Sequence, residues 1–306
     1  MEFPLVSILI PAYNHAKFVR NCLDSVLEDS YPNKEIVIIN DGSTDDSDKE
    51  IAAWKERNSA LISVKYINRG NRGVAATLNE LAENASGEFF RLVASDDYLI
   101  AGGIRSQIDY LIVNPAKGAV IGDSIIINDA GEKIFGSGMA DLKKVNKKNY
   151  FTSDGIRKEV ICHWVIGGPV TMITKKAFQA LGGWSEDLRI EDWDFFLRLI
   201  ALDLLGFVDT PVGGYRLHDN NTCRTQNVES RVINLGDAER VAHRNLTLFN
   251  KPYRTLLKSQ WYLIRAKIAY LKRKPFLAAA NVFGALFLMG LAKLEKPSGE
   301  SLRSQK

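Results

Sequence analysis

The chain is poor in cysteine: three in 306 residues, at positions 22, 162 and 223, with no C-x-x-C pair. That spacing excludes a disulfide framework and a paired-thiolate zinc site, and it fits a reducing compartment. Internal repeats and low-complexity tracts are also missing. No basic segment precedes the first apolar run and Pro4 stands inside it, so Met1–Ile10 reads as a strand rather than a signal peptide. The expected location is cytoplasmic. With 46% hydrophobic and 25% charged residues, the composition excludes disordered, collagen-like and wholly membrane-embedded chains. Neither sign of charge dominates, with 40 basic against 36 acidic side chains, but the two are unevenly placed. Residues 251–306 hold 12 Lys/Arg and 2 Asp/Glu, which leaves 28 and 34 for residues 1–250. An acidic body of −6 therefore carries a basic tail of +10.

What is there is strand–helix alternation. Val6–Ile10, Glu35–Asn40, Ile62–Ile67 and Glu88–Val93 read as buried strands, and Ala16–Leu27, Asp45–Arg57 and Val74–Glu83 as amphipathic helices between them. This pattern predicts an α/β fold with a largely parallel central sheet covered on both faces. Further on, Ala119–Asn128 and Pro169–Thr174 read as strands, Ile190–Leu202 as a helix, and Gly206–Asp209 with Gly213–Leu217 as a closing hairpin or pair of strands. Residues 136–158 are polar and read as a mobile connection.

Ligands of parallel sheets bind beyond the C-terminal strand ends. Strand one is followed there by Pro11, Ala12, Tyr13 and Asn14, strand two by Asn40–Asp45, and strand four by Ser95, Asp96 and Asp97. Thr44 or Asp45 is placed to cap the next helix, whereas Asp41 comes one residue too early and is free to accept from a nucleotide base or ribose. Adjacent carboxylates such as Asp96 and Asp97 repel unless a cation or strong donors offset their charge, which fits Mg²⁺ or Mn²⁺ shared with substrate phosphates. The alternative is an exposed turn with one Asp capping. Asn68–Gly73 is a Gly-rich loop entering a helix, neither a Walker loop nor G-x-G-x-x-G, with Arg72 placed for a pyrophosphate. Glu191, Asp192, Trp193 and Asp194 open a helix, where the acids either complement its dipole or include a general base, and Trp193 is either core or site. His218 is a candidate ligand or proton carrier.

In order along residues 5–222, Val-Ser-Ile-Leu-Ile-Pro-Ala-Tyr-Asn (6–14), Ile-Ile-Asn-Asp-Gly-Ser-Thr-Asp (38–45), Arg-Gly-Val-Ala-Ala (72–76), Ser-Gly-Glu-Phe (86–89), Ser-Asp-Asp (95–97), Gly-Gly-Trp (182–184), Glu-Asp-Trp (191–193) and Tyr-Arg-Leu-His-Asp-Asn-Asn-Thr (215–222) resemble the family 2 inverting glycosyltransferases. The resemblance implies the GT-A fold and a nucleotide-sugar donor, commonly a UDP-sugar. It implies that Pro11, Tyr13 and Asp41 hold the base and ribose, with Asn14, Arg72, Glu191 and Trp193 also lining the donor site. Asp96 would contact ribose or sugar, Asp97 the Mg²⁺ or Mn²⁺, and His218 the metal or pyrophosphate. Asp192 would be the general base. Two departures stand out: Asn40 replaces the first acid of Asp-Asp-Gly-Ser, and Leu78 stands where many relatives carry Arg.

Residues 1–225 are expected to form the catalytic domain and 226–306 a helical tail. Within the tail, Arg254–Arg273 is basic and amphipathic, and Phe276–Ala292 is 17 residues without charge. At ~1.5 Å per residue that segment reaches about 25 Å, short of a bilayer core. It is either a buried helix packed on the domain or, as expected here, an in-plane helix on the inner face of the cell membrane, serving a saccharide or lipid-linked acceptor in surface polysaccharide synthesis. Nucleic acid is not an expected partner. Two other readings are a nucleotidyltransferase, which would carry a Gly-rich basic loop after strand one, and a non-catalytic nucleotide-sugar-binding protein.

Overall fold

The computed structural model describes residues 3–163, 169–218 and 227–296. Its frame is a nine-stranded sheet. The parallel half, in the order β3 (Ser63–Arg69), β2 (Lys34–Asp41), β1 (Val6–Ala12) and β4 (Phe89–Leu92), is wound by α1 (Val19–Glu28), α2 (Ser47–Asn58) and α3 (Val74–Glu83). β5 (Tyr98–Leu99) and α4 (Gly103–Val113) follow, then β6 (Ala119–Ile127) and its short partner β7 (Lys133–Phe135). The sheet continues from β4 through β8 (Thr171–Thr174), which runs antiparallel to both β4 and β6, and through β6 to β9 (Leu205–Arg216). Strands β1 to β4, β6 and β9 thus share one direction, so the expected α/β class with a largely parallel sheet is what the chain forms.

Side-chain alternation along β1 explains the two-sided core. Ile8 and Ile10 face a layer containing Val19, Leu23, Ile51, Trp54 and Ile104, while Leu9 faces Leu78, Leu81 and the C-terminal half of the chain. That second layer also holds Phe195 and Leu199 of α7 (Glu191–Ala201), Val241 of α8 (Val228–Arg244), and Leu257 and Ile264 of α9 (Tyr253–Leu271). The start of the expected tail therefore shares a core with the sheet.

Two expectations from sequence are corrected. The polar stretch 136–158 is ordered: one π turn spans Gly138–Leu142, a 3₁₀ turn spans Lys147–Phe151, and α5 covers Ser153–Cys162. Its polarity hid the anchors, because Tyr150, Ile156 and Val160 are buried while the intervening Lys and Asn side chains face outward. The expected closing hairpin is one twelve-residue strand, β9, which pairs parallel to β6. Pro211, which has no N–H to donate, sits where the register slips between Asp123 and Ser124, and Gly214 is required because a Cβ there would lie 2.2 Å from the Tyr98 ring. The terminal part of the Tyr215–Thr222 motif, Asp219–Thr222, and Cys223 lie outside the described residues.

Arg91 of β4 is wholly buried. Its guanidinium donates to the carbonyls of Leu92, Thr171, Pro169 and Val212, tying β4 to β8, β9 and the segment before β8. Burial opposes its charge, and the carboxylates of Asp29 and Asp97 offset that effect. Replacing it by Met leaves these carbonyls without their donor. Arg91→Met is expected to destabilise the fold by roughly 3 kcal/mol or more in urea denaturation.

Candidate active site

The loops after β1 and β2 are fastened to each other. Asn14, at positive φ, donates its backbone N–H to Ser43 Oγ at 2.9 Å, and its side-chain oxygen accepts from Thr44 N at 2.7 Å. Asp45 bridges the same loops, accepting from Ala16 N and Ser47 N, each at 3.0 Å. It thereby meets the first N–H of α2 as an Asx turn, and Thr44 has no part in capping. Tyr13 is left 47% exposed at the rim and Pro11 half-buried beneath it in sequence.

Asp41, expected to await a ligand, already has donors. Its carboxylate pairs with Arg69 and accepts from Arg72 N at 2.8 Å and Gly73 N at 3.1 Å. It thus shapes the loop into α3 from a neighbouring strand. Asn71 returns a bond to the Asp41 carbonyl, and this packing leaves no room at Gly42, where a Cβ would meet Asn71 N at 2.5 Å. Asn40 uses both ends of its amide, donating to Asn68 Oδ1 and accepting from Ser43 N, a combination a carboxylate cannot supply. The Arg72 side chain is exposed and reaches Glu80, while Leu78 is buried in the core.

After β4, the two adjacent carboxylates part ways. Asp97, 2% exposed, accepts the Arg216 backbone N–H at 2.9 Å. Asp97, expected at the metal, here holds the end of β9 to the turn after β4 through this bond. Asp96 faces the imidazoles instead. His218 Nε2 lies 3.0 Å from Asp96 Oδ2 and His15 Nε2 3.7 Å from it. One ligand atom from each of the three lies within 4.8 Å of the others. The residue Asp96 is 8% exposed, and its Oδ1 has no hydrogen-bond partner among the described residues. A buried carboxylate oxygen without a donor is costly and is what a cation would satisfy. A divalent metal therefore fits Asp96 and His218.

Glu191 and Asp192 occupy a second locus, the start of α7. Asp192 Oδ1 accepts from Trp193 N at 2.7 Å. Burial pushes both carboxyls above the usual carboxylate range, and the Asp192 charge raises Glu191 further. The helix start is fixed by Asp194, which binds Ser185 Oγ at 2.8 Å, Asn245 Nδ2 at 2.8 Å and Arg198 Nε at 3.0 Å. Asn79 of α3 holds the preceding Gly-Gly-Trp turn through Trp184 N and O. Trp193, expected beside the donor, is 5% exposed and gives its indole N–H to Val160 O at 3.0 Å, so it belongs to the core.

His15, Ser95, Arg216 and Asn79 were given no site role from the sequence. The only available signal for His15 was its position directly after the first strand-end loop.

The same architecture is found in solved structures of sugar transferases. A mannosyltransferase from Pyrobaculum calidifontis, in complex with GDP-Man and Mn²⁺, superposes with TM-score 0.63 at 18% identity, covering 96% of this chain and 81% of that one. S. aureus TarS 1–349 in complex with UDP-GlcNAc gives TM-score 0.63 at 14% identity, covering 95% and 92%. The fold is that of the GT-A glycosyltransferases. Residues 7–181 match the model of glycosyl transferase family 2, and the chain belongs to that family.

Among curated relatives, an uncharacterized glycosyltransferase of Rickettsia felis is 29% identical over 217 residues, 70% of this chain and 34% of that protein. The poly-beta-1,6-N-acetyl-D-glucosamine synthase of Staphylococcus epidermidis is 31% identical over 192 residues, 61% and 43% of the two chains. Chondroitin synthase of Pasteurella multocida is 27% identical over 224 residues, 72% of this chain and 21% of its own length. The chain thus spans less than half of each of these three relatives.

Trp193→Phe separates core from ligand roles. Loss of the bond to Val160 should cost about 1–2 kcal/mol of stability by urea denaturation, with nucleotide affinity by calorimetry unchanged.

Proposed function

We propose that the chain transfers a sugar from a UDP-sugar to a hydroxyl of a saccharide or lipid-linked saccharide with inversion at the anomeric carbon, assisted by Mg²⁺ or Mn²⁺. The observation that carries the reading is the meeting of Asp96 and His218 at the ends of β4 and β9, beside the loops after β1 and β2. Pro11, Tyr13 and Asn14 line the base side of this cleft. Asp41 and Arg72 shape and charge the loop facing the diphosphate, with the α3 N-terminus behind them. Asp96 and His218 hold the metal, which when bound offsets charge on the departing diphosphate.

At the start of α7, the Asp192 carboxylate takes the proton of the acceptor hydroxyl as that oxygen attacks the anomeric carbon. The bond from that carbon to the diphosphate oxygen breaks on the opposite face, and its electron pair leaves with the nucleotide. An α-linked donor therefore gives a β-glycoside. Glu191, raised further by its neighbour, holds a proton where Asp192 holds charge, which keeps the pair from repelling. Asp192→Asn is expected to lower kcat by 10³-fold or more, on the order of a lost general base, with UDP affinity near wild type. A base with a raised pKa is protonated, and inactive, as pH falls. The wild-type kcat/KM should accordingly decline on the acid side with a midpoint above the usual ~4 of a carboxylate. Near wild-type transfer by Asp192→Asn overturns the assignment.

For the acceptor side, the names of the relatives favour a polysaccharide product, of the O-antigen or capsule kind. The C-terminal helix α10 (Pro275–Leu294) favours a membrane-bound one. Among the described residues, it is the one helix long and apolar enough to cross a membrane by length and composition. Its twenty residues extend beyond the uncharged run read from sequence, giving about 30 Å. The helix folds back on α9: Glu295, just past its end, accepts from Thr255 Oγ1 in the first turn of α9 and pairs with Lys251, two residues before that helix. Phe283 and Phe287, 74% and 65% exposed, form the outer face with Leu286, and exposed Lys272, Arg273 and Lys274 flank it. A helix with one side on α9 and apolar outward residues suits an in-plane position at an anionic leaflet, peripheral on the cytoplasmic face. Full-length protein should float with anionic vesicles, and Phe283→Glu with Phe287→Glu should cut the floated fraction several-fold. Equal flotation rejects the role of α10.

A further inference from the structure

We propose that His15 is a third protein ligand of the divalent-ion site, with Asp96 and His218, and that this two-imidazole, one-carboxylate set selects a transition ion such as Mn²⁺ over Mg²⁺. The inference rests on the reading of Asp96 and His218 as metal-holding.

Four observations support it. First, His15 Nδ1 is within hydrogen-bond distance of Ser95 Oγ at 2.8 Å, and Ser95 is fully buried. A ring nitrogen engaged in this way fixes the imidazole and turns Nε2 to the ligand, as partners of metal-bound histidines do. Second, the separation of His15 Nε2 from Asp96 Oδ2, 3.7 Å, is too long for a hydrogen bond but suits two groups that share a third atom. Third, the ring is held from both ends of its loop. The His15 backbone N–H donates to Ser47 Oγ at 3.0 Å, and Phe18 packs against both rings, with centroids 6.3 Å from His15 and 5.3 Å from His218. Fourth, Asp96 Oδ1 is buried with no hydrogen-bond partner among the described residues, although Oδ2 faces His218. The cluster thus leaves one carboxylate oxygen unsatisfied beside two imidazole rings.

The choice of metal follows from donor chemistry. Mg²⁺ takes oxygen ligands and keeps its water, whereas imidazole nitrogen favours transition ions. One imidazole beside a carboxylate leaves the choice open. Two shift it toward Mn²⁺, with the remaining positions left to diphosphate oxygens and water.

The test uses full-length protein with UDP, titrated with Mn²⁺ or Mg²⁺ by calorimetry, and pulsed electron-paramagnetic-resonance detection of nitrogen coupled to bound Mn²⁺. Wild type should bind Mn²⁺ at least about tenfold more tightly than Mg²⁺, with imidazole nitrogen coupling. His15→Gln should lose about tenfold or more in Mn²⁺ affinity and part of the nitrogen coupling, and Ser95→Ala should give a smaller loss with the coupling retained. The Mg²⁺ affinity and unfolding midpoint of His15→Gln should stay near wild type, which separates lost ligation from lost folding. Unchanged Mn²⁺ affinity and coupling in His15→Gln, or equal wild-type binding of the two ions, overturns the proposal and leaves the metal role of Asp96 and His218 standing. Absence of any bound ion with UDP present overturns both.

Discussion

The end of β9 is pinned to the turn after β4, and the geometry of the site depends on that joint. Asp97 accepts the Arg216 N–H, and Arg216 Nε donates back to the Asp96 carbonyl at 2.8 Å. The guanidinium also reaches Asn128 O and stacks over Phe18, 4.7 Å from the ring centroid. One buried carboxylate and one arginine thus fix Asp96 on β4's turn relative to His218, two residues beyond Arg216. Arg91 supports the same joint from below by gathering carbonyls of β4, β8 and β9. Both arginines are buried among carbonyl and carboxylate partners, although Arg91 Nε makes no hydrogen bond among the described residues; buried charges paired in this way are costly to break.

This division of labour explains why adjacent acids carry different tasks. Asp97 is used up in building the site, and Asp96 keeps an oxygen free for it. Asp41 and Asp194 are builders as well, the first organising the loop into α3 and the second locking the start of α7 to Asn245. Among the buried carboxylates of the described residues, Asp96, through Oδ1, and the raised pair Glu191 and Asp192 are left with few partners. Those are the positions where a cation and an acceptor proton are needed by the proposed transfer.

Strand–helix alternation and strand-end polar residues made the parallel half of the sheet legible in sequence, because apolar runs such as Ile36–Ile39 are buried on both faces and leave a continuous pattern. The other half was less legible for physical reasons. β5 is two residues long, α5 hides its anchors among Asp, Arg, Lys and Glu, and β9 contains Pro211 and a Gly-Gly pair that imitate a turn while serving a bulge and a close approach to Tyr98. At the site, the loops were legible but not the direction of each side chain. Asp96 and Asp97 are interchangeable in sequence and opposite in space. Trp193 belongs to the core through a bond to Val160 that no spacing reveals. His15 joins the cluster only when β1, β4 and β9 are assembled.

The central claim is a metal-assisted transfer from a nucleotide-sugar, and it is tested most directly without any acceptor, by measuring nucleoside diphosphate released from a panel of nucleotide-sugars with Mn²⁺ and after chelation. The account predicts slow UDP release from at least one UDP-sugar, abolished by chelation and by Asp96→Asn. Release that persists undiminished in chelator, or no turnover of any donor, would contradict it.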